Sequence, residues 1–207
     1  MKQTIELHKK WKADPSKGEV FTPSELVREM LDKIPTSVWE NPNSMFLDPC
    51  MGKGTFLIEI VTRLINIYGY SKEDAISRVY GYDVRVKYVN YLKRGGFINV
   101  FHKDFLNEEI NMKFDVVIGN PPYQGKNKQD KLWVKFLLKS IELINENGFL
   151  ATDNQVNTNV MDVKVCIPPV ARLHPVMKSR EIIGQMSTSR QSPNPHTGTG
   201  MEYAEQQ

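Results

Sequence analysis

Apolar positions along this chain change period several times between residues 22 and 151. Leu26, Met30, Leu31 and Ile34 share one helical face, and Pro35 ends the run. In front of them, Thr22-Pro23-Ser24-Glu25 reads as a helix start. Thr22 caps, Pro23 takes the first helical position, and Glu25 completes a capping box. A short apolar strand is predicted over 44–47. Residues 56–68 are apolar nearly all round, which predicts a buried helix closed by Gly69. Ser71, with Asp74 three residues on, caps a short helix over 71–78. A strand at 79–83, a helix reaching Gly95-Gly96, and strands at 99–102 and 114–119 follow. Leu132, Trp133, Phe136, Leu137, Ile141 and Ile144 recur at helical spacing until Asn147-Gly148. Phe149-Leu150-Ala151 begins one more strand, and 160–167 fits another.

Strands alternating with helices predict an α/β fold with a parallel sheet covered on both faces. Residues 1–17 are polar and basic and read as an exposed arm. Beyond 152 the periodicity fades, leaving an extension of unassigned fold over 152–189. Proline, serine, threonine and glycine accumulate, and 190–207 reads as a disordered tail.

Composition narrows the function classes. A chain of 207 residues fits one domain with a tail. The net charge of +3 is too small to announce a nucleic-acid binder, although local patches can still act. No apolar run is long enough to cross a bilayer, so no membrane partner is expected, and the first residues lack the apolar core of a signal peptide. Two cysteines make no disulfide framework, which points to a reducing, cytoplasmic setting. His8, His102, His174 and His196 show no metal-ligand spacing, so no metal is expected.

The candidate chemistry lies at strand ends. Asp48-Pro49-Cys50-Met51-Gly52-Lys53-Gly54 joins the first strand to the buried helix. Glycines there let backbone approach a ligand, and ligands of open α/β sheets bind at the carboxyl ends of strands. The segment is neither a P-loop nor a full GxGxxG, and a plain βα turn also fits it. Asp83 ends the second strand, where an acid can accept both hydroxyls of a ribose or cap the next helix. Asp104-Phe105 follows the third strand. Its carboxylate can take an exocyclic amine and its ring can cover a flat base; a helix cap beside a core aromatic is the plainer alternative. Asn120-Pro121-Pro122-Tyr123 ends the fourth strand. Proline locks φ and fixes the direction of the carbonyls, Asn120 adds a side-chain carbonyl, and Tyr123 offers a flat face. Such a corner can grip a planar ring bearing an amine. Lys126 and Lys128 beside it suit phosphate contact, while Lys131, Lys135 and Lys139 also fit a solvated helix face.

Taken together, these segments resemble the γ-type amino-group DNA methyltransferases that modify adenine N6 with S-adenosylmethionine. The order GEVFTPSELV, DPCMGKGTF, GYD, KDF and NPPY carries the resemblance across about 18–151. It implies a three-layer, Rossmann-like class I methyltransferase sheet, incomplete at its C-terminal end. It implies that Phe21, Thr22, Asp48 and Gly52 lie at the cofactor's methionine part, that Asp83 holds the ribose, and that Asp104 and Phe105 hold the adenine. It makes Asn120, Pro121, Pro122 and Tyr123 catalytic, and double-stranded DNA with a flipped adenine the substrate. Tyr123, Lys126 and Lys128 would then touch nucleic acid. A prokaryotic or phage restriction-modification system follows, with a separate recognition subunit or nuclease as partner. Three alternatives stay open: an RNA base as acceptor, a protein glutamine as acceptor, or an inactive DNA-binding or assembly fragment.

Overall fold

A computed structural model describes residues 21–122, 132–153 and 164–167, with Asp153 and the last four by backbone alone. The arm at 1–17, the tail at 190–207, Tyr123, Lys126 and Lys128 all lie outside the described residues.

Helices α1 (Ser24–Leu31) and α2 (Thr36–Glu40) precede β1 (Phe46–Asp48). Then follow α3 (Thr55–Asn66), α4 (Lys72–Ser77), β2 (Val79–Asp83), α5 (Val86–Arg94) and β3 (Val100–His102). A 3-10 turn (Phe105–Asn107), β4 (Phe114–Gly119), α6 (Leu132–Leu143), β5 (Ile144–Asp153) and β6 (Lys164–Ile167) complete the described elements. The strand order is β3-β2-β1-β4-β5-β6, with β6 antiparallel to β5 and every other pairing parallel. The sequence reverses direction across the sheet between β1 and β4. Helices after those two strands diverge there, which leaves a crevice at the strands' carboxyl ends.

Side chains of alternate strand positions point to opposite faces. Phe46, Val79, Val116 and Ile118 join one cluster with Leu57, Ile60 and Leu64 of α3, and Val89 and Leu92 of α5. The other face carries aromatic contacts. Tyr82 meets Phe101 and Phe105, and Phe105 stacks on Phe136 of α6 at 5.5 Å. Both faces are therefore covered, giving the expected three layers. A Cβ on Gly81 would crowd Met51 Sδ and lie 2.7 Å from a Leu57 methyl, so α3 and the turn after β1 pack directly on the β2 backbone.

Several boundaries differ from the sequence-based expectations. Thr22 does not cap α1. Pro23 occupies the cap position, its carbonyl accepting from the Val27 N–H at 3.0 Å, and no side chain caps the helix. The expected capping box is absent: Pro23, at the cap position, has no side-chain acceptor, and Thr22 Oγ1 instead accepts from Asn120 Nδ2. Helix α2 was not expected: five residues are too few to show a period. Trp39 anchors it, stacked on Tyr68 at 5.7 Å and on Phe46 at 5.3 Å. Helix α3 is shorter than 56–68 and buries one face, with Ile58, Glu59, Thr62 and Arg63 only half-buried. Helix α6 stops at Leu143, four residues before Asn147-Gly148, and Ile144 already pairs with Phe114. The register then shifts before Phe149 meets Val116. Gly148 fits this irregularity because a Cβ would come within 3.0 Å of the Phe114 and Asp115 carbonyls. Ser71, in contrast, caps α4 as expected, accepting from the Asp74 N–H at 3.0 Å.

Candidate cofactor cleft

A cavity opens at the crevice between β1 and β4. It holds about 300 Å³ of empty space, counting its open mouth. Its walls come from three stretches far apart in the chain. Phe21 and Thr22 precede α1; Asp48 ends β1, and Cys50, Met51, Gly52, Lys53, Thr55 and Phe56 come after it; Asn120 follows β4.

The β1 turn is held open by glycine and by neighbouring strand ends. Gly52 and Gly54 have φ of 50° and 82°, a backbone region that side chains disfavour. A Cβ on Gly52 would meet nothing within 4 Å, so its backbone faces open space. The Met51 N–H donates to the Tyr82 carbonyl at 3.0 Å, and the Gly52 N–H donates to Asp83 Oδ2 at 2.9 Å. The turn is thus stapled over the end of β2. On its other side β4 approaches closely. A Cβ on Gly119 would lie 2.7 Å from Asp48 Oδ1 and 3.4 Å from Cys50 Sγ. That contact carries the next residue, Asn120, to the cavity.

Asn120 is tied to the N-terminal segment. Its side-chain Nδ2 donates to Thr22 Oγ1 at 3.2 Å, across 98 positions of sequence. With the nitrogen end engaged by Thr22, the amide's rotation about its terminal torsion is restrained. Pro121 beside it is buried and Pro122 half-buried.

Electrostatics here are dominated by buried acid. Asp48 is 1% exposed and accepts from the Cys50 N–H at 3.0 Å. Burial, aided by the charge of Asp83 and opposed by that N–H, raises its pKa to about 8. Asp83 is buried too, and burial raises its pKa against the opposing effects of the Arg85 charge and the Arg85 and Gly52 N–H groups. It accepts from the Arg85 N–H at 2.8 Å and pairs with Arg85 Nε at 3.3 Å. Burial and the two acids push the half-buried Cys50 thiol well up, while the Asn120 backbone N–H beside the sulfur opposes them. Both acids are desolvated and hold their protons tightly, and a cation brought against them would favour their ionised forms.

The structure brings Phe21, Thr22, Asp48, Gly52 and Asn120 together around one cavity, with Asp83 hydrogen-bonded to its rim. Asp104 and Phe105 are placed elsewhere. Asp104 is exposed and caps the 3-10 turn, accepting from the Leu106 N–H at 3.1 Å and from Asn107 Nδ2 at 3.0 Å. Phe105 is 1% exposed, packed between Tyr82 and Phe136. Cys50, Met51, Lys53, Thr55 and Phe56 are lining residues that the sequence reading did not single out. Their place inside DPCMGKGTF was the available signal. Among the described residues no group of three or more His, Cys, Asp and Glu side chains could hold a metal ion. No helix of the described residues is long and apolar enough to cross a membrane.

A doubly wound sheet with an acid-lined crevice at its switch point defines the class I S-adenosylmethionine-dependent methyltransferase fold. Solved structures share it. One is a Listeria monocytogenes protein classed as such a methyltransferase, with TM-score 0.51, 17% identity, and coverage of 78% of this chain and 50% of that one. Another is a chain of a type I restriction-modification system, with TM-score 0.53, 18% identity, and coverage of 67% and 33%. Within that class the chain belongs to the N-6 DNA methylase family, whose model matches residues 7–149. The type II methyltransferase M.VspI of a Vibrio species is 31% identical over 157 residues, covering 64% of this chain and 36% of the relative. The modification methylase CviBIII of Paramecium bursaria Chlorella virus NC1A is 30% identical over 154 residues, covering 68% and 38%. The chain thus spans little more than a third of the length of these curated relatives.

Proposed function

We propose that this chain carries the cofactor-binding and catalytic part of an enzyme that methylates the N6 amino group of adenine in DNA, as part of a restriction-modification system. The observation that supports it most is the juxtaposition of Asn120, held by Thr22, with the Asp48 turn across one cavity. Membership of the N-6 DNA methylase family supports the choice of acceptor. Its setting would be the cytoplasm of a prokaryotic or phage-infected cell, and its partners double-stranded DNA and a separate recognition subunit or nuclease.

The residues present fit the cofactor. Gly52 leaves room for close backbone approach, and Asp48 offers a buried acid to a cationic group. Phe21 and Thr22 would border the methionine part, and Asp83 would accept the ribose hydroxyls with lone pairs not engaged by Gly52 and Arg85. Asp104, exposed beyond β3, would take the adenine amine of the cofactor with its remaining acceptor capacity. Phe105 supports that turn from below as a core anchor. When bound, S-adenosylmethionine supplies a methyl group activated by a sulfonium.

The protein's part is direction. An adenine amine is a poor nucleophile because its lone pair is delocalised into the ring. The Asn120 side-chain carbonyl and the Pro121 backbone carbonyl accept its two hydrogens. That favours a pyramidal nitrogen and frees the lone pair for in-line attack. Positioning and directed hydrogen bonds supply the acceleration, and no step calls for a metal. The adenine would be flipped from the duplex to reach this corner, with Tyr123 as its stacking platform and Lys126 and Lys128 at phosphates.

The decisive experiment incubates the chain with methyl-labelled cofactor and separate DNA, RNA and protein pools. Label recovered as N6-methyladenine from DNA is the expected result. Label only in RNA or in protein glutamine would move the acceptor. Absence of cofactor binding by a folded chain would leave the assembly-fragment reading.

A further inference from the structure

The cavity wall carries an acid and a base. Asp48 lines it and is buried; Lys53 lines it and is half-buried. Lys53 Nζ stands 4.7 Å from the centroid of the Phe21 ring, another wall residue. Among the described residues Lys53 forms no ion pair, although Asp32, Glu59, Asp83 and Glu108 all do. Its placement follows from the turn. Lys53 lies between two positive-φ glycines, one facing open space and the other packed so tightly that a Cβ would meet Leu92 Cδ1 at 2.8 Å. An ammonium held on an aromatic face beside an open cavity, with its hydrogen-bonding capacity in reserve, is suited to an anion.

A ligand that presents a cation to Asp48, favouring its ionised form, and an anion to Lys53 matches the pair. An α-amino acid group carries both on one carbon. We propose that Lys53 anchors the α-carboxylate of the cofactor's methionine part, with Phe21 as its platform and Asp48 receiving the α-ammonium. The inference rests on the cofactor assignment above and adds a residue outside the expected set. It also explains why a turn that needs only glycines holds a lysine between them. The lysine would be repelled by the sulfonium itself, so its contact is with the opposite, anionic end of the ligand.

Isothermal titration of the full chain tests this with two ligands. S-adenosylhomocysteine has the amino acid group; 5′-deoxy-5′-methylthioadenosine keeps the adenosine and lacks that group. Lys53→Met should weaken the first by about ten- to a hundredfold, the range for losing a charge-assisted hydrogen bond. It should leave the second within about twofold, and Lys53→Arg should retain most of the affinity. A measurement on the unmodified chain guards against misfolding: S-adenosylhomocysteine with its carboxylate amidated should bind about tenfold or more weaker than the acid. Equal loss for both ligands in a folded Lys53→Met chain, or no penalty for the amide, overturns the inference alone. Unchanged binding of both ligands with weakened DNA binding would give the lysine to nucleic acid and overturn it as well. A wild-type chain that binds neither ligand defeats the cofactor assignment and this inference with it.

Discussion

Asp48 and Asp104 each follow or end a parallel strand of the same sheet, yet their surroundings are opposite. Asp48 ends β1 at the switch point, where the chain passes to either side of the sheet and a crevice remains. It is 1% exposed, the Cys50 N–H donates to it, and β4 closes on it through Gly119. Asp104 follows β3 at the sheet's edge and is exposed. Both of its oxygens serve the local turn, and Phe105 fastens that turn into the core. The same residue type at equivalent places is thus a desolvated group facing a cavity in one case and a cap in the other. What differs is strand position in the sheet, which decides whether a neighbouring strand end buries the acid.

Changes at the switch point should have the larger effects. Asn120→Ala removes the directed acceptor at the reacting amine. It should lower methyl transfer by about 10²–10³-fold while leaving S-adenosylhomocysteine affinity nearly unchanged. Single-turnover transfer beside titration checks this, and full activity of the variant would reduce the corner to a turn.

Asp48→Asn keeps an acceptor for the Cys50 N–H and removes the titrating group. Burial raises the Asp48 pKa from 3.8 to about 8 in the folded chain. The folded form therefore binds the proton more tightly, so the contribution to stability is complete below about pH 4 and is lost as pH rises through about 8. The asparagine variant should show a flatter decline of melting temperature across that window, and should be the more stable protein at pH 8, by a few kcal/mol at most. It should also bind S-adenosylhomocysteine more weakly. Melting curves from pH 5 to 9 that run parallel for the two proteins would contradict the burial argument.

Gly119→Ala drives a methyl group against Asp48 Oδ1. Overpacking of this kind costs about 1–3 kcal/mol. Because the displaced group is the cavity's acid, ligand affinity should fall along with stability; denaturant melts and titration on the same sample would reveal a stability loss without an affinity loss. At the sheet edge, Asp104→Ala deletes a cap and should cost about 1 kcal/mol. Asp104→Asn retains an acceptor for Leu106 and should recover part of that. If Asp104 also takes the adenine amine, the asparagine variant will bind S-adenosylhomocysteine more weakly despite its recovered stability.

Much of this molecule was determined locally and could be read from the chain. Alternating strand and helix periods specify the parallel sheet, because each period sets which side chains share a face. Val79–Asp83 and Phe114–Gly119 appear where their apolar runs predict, and Ser71 caps α4 because its partner is three residues away. DPCMGKGTF and NPPY announce the cleft because glycine and proline restrict backbone in ways that do not depend on neighbours. Contacts between distant segments decided the rest. Thr22 is a good helix cap by type, yet its hydroxyl meets Asn120, a partner 98 residues on that no local rule supplies. Helix α6 ends at Leu143 because β4 recruits Ile144 into a strand, overriding a helical pattern that continues to that residue. Phe105 is buried because Phe136 covers it, and Asp48 is buried because β4 lies beside β1. Hydrogen bonding and burial of this kind depend on which strands and helices become neighbours, and that order belongs to the whole sheet.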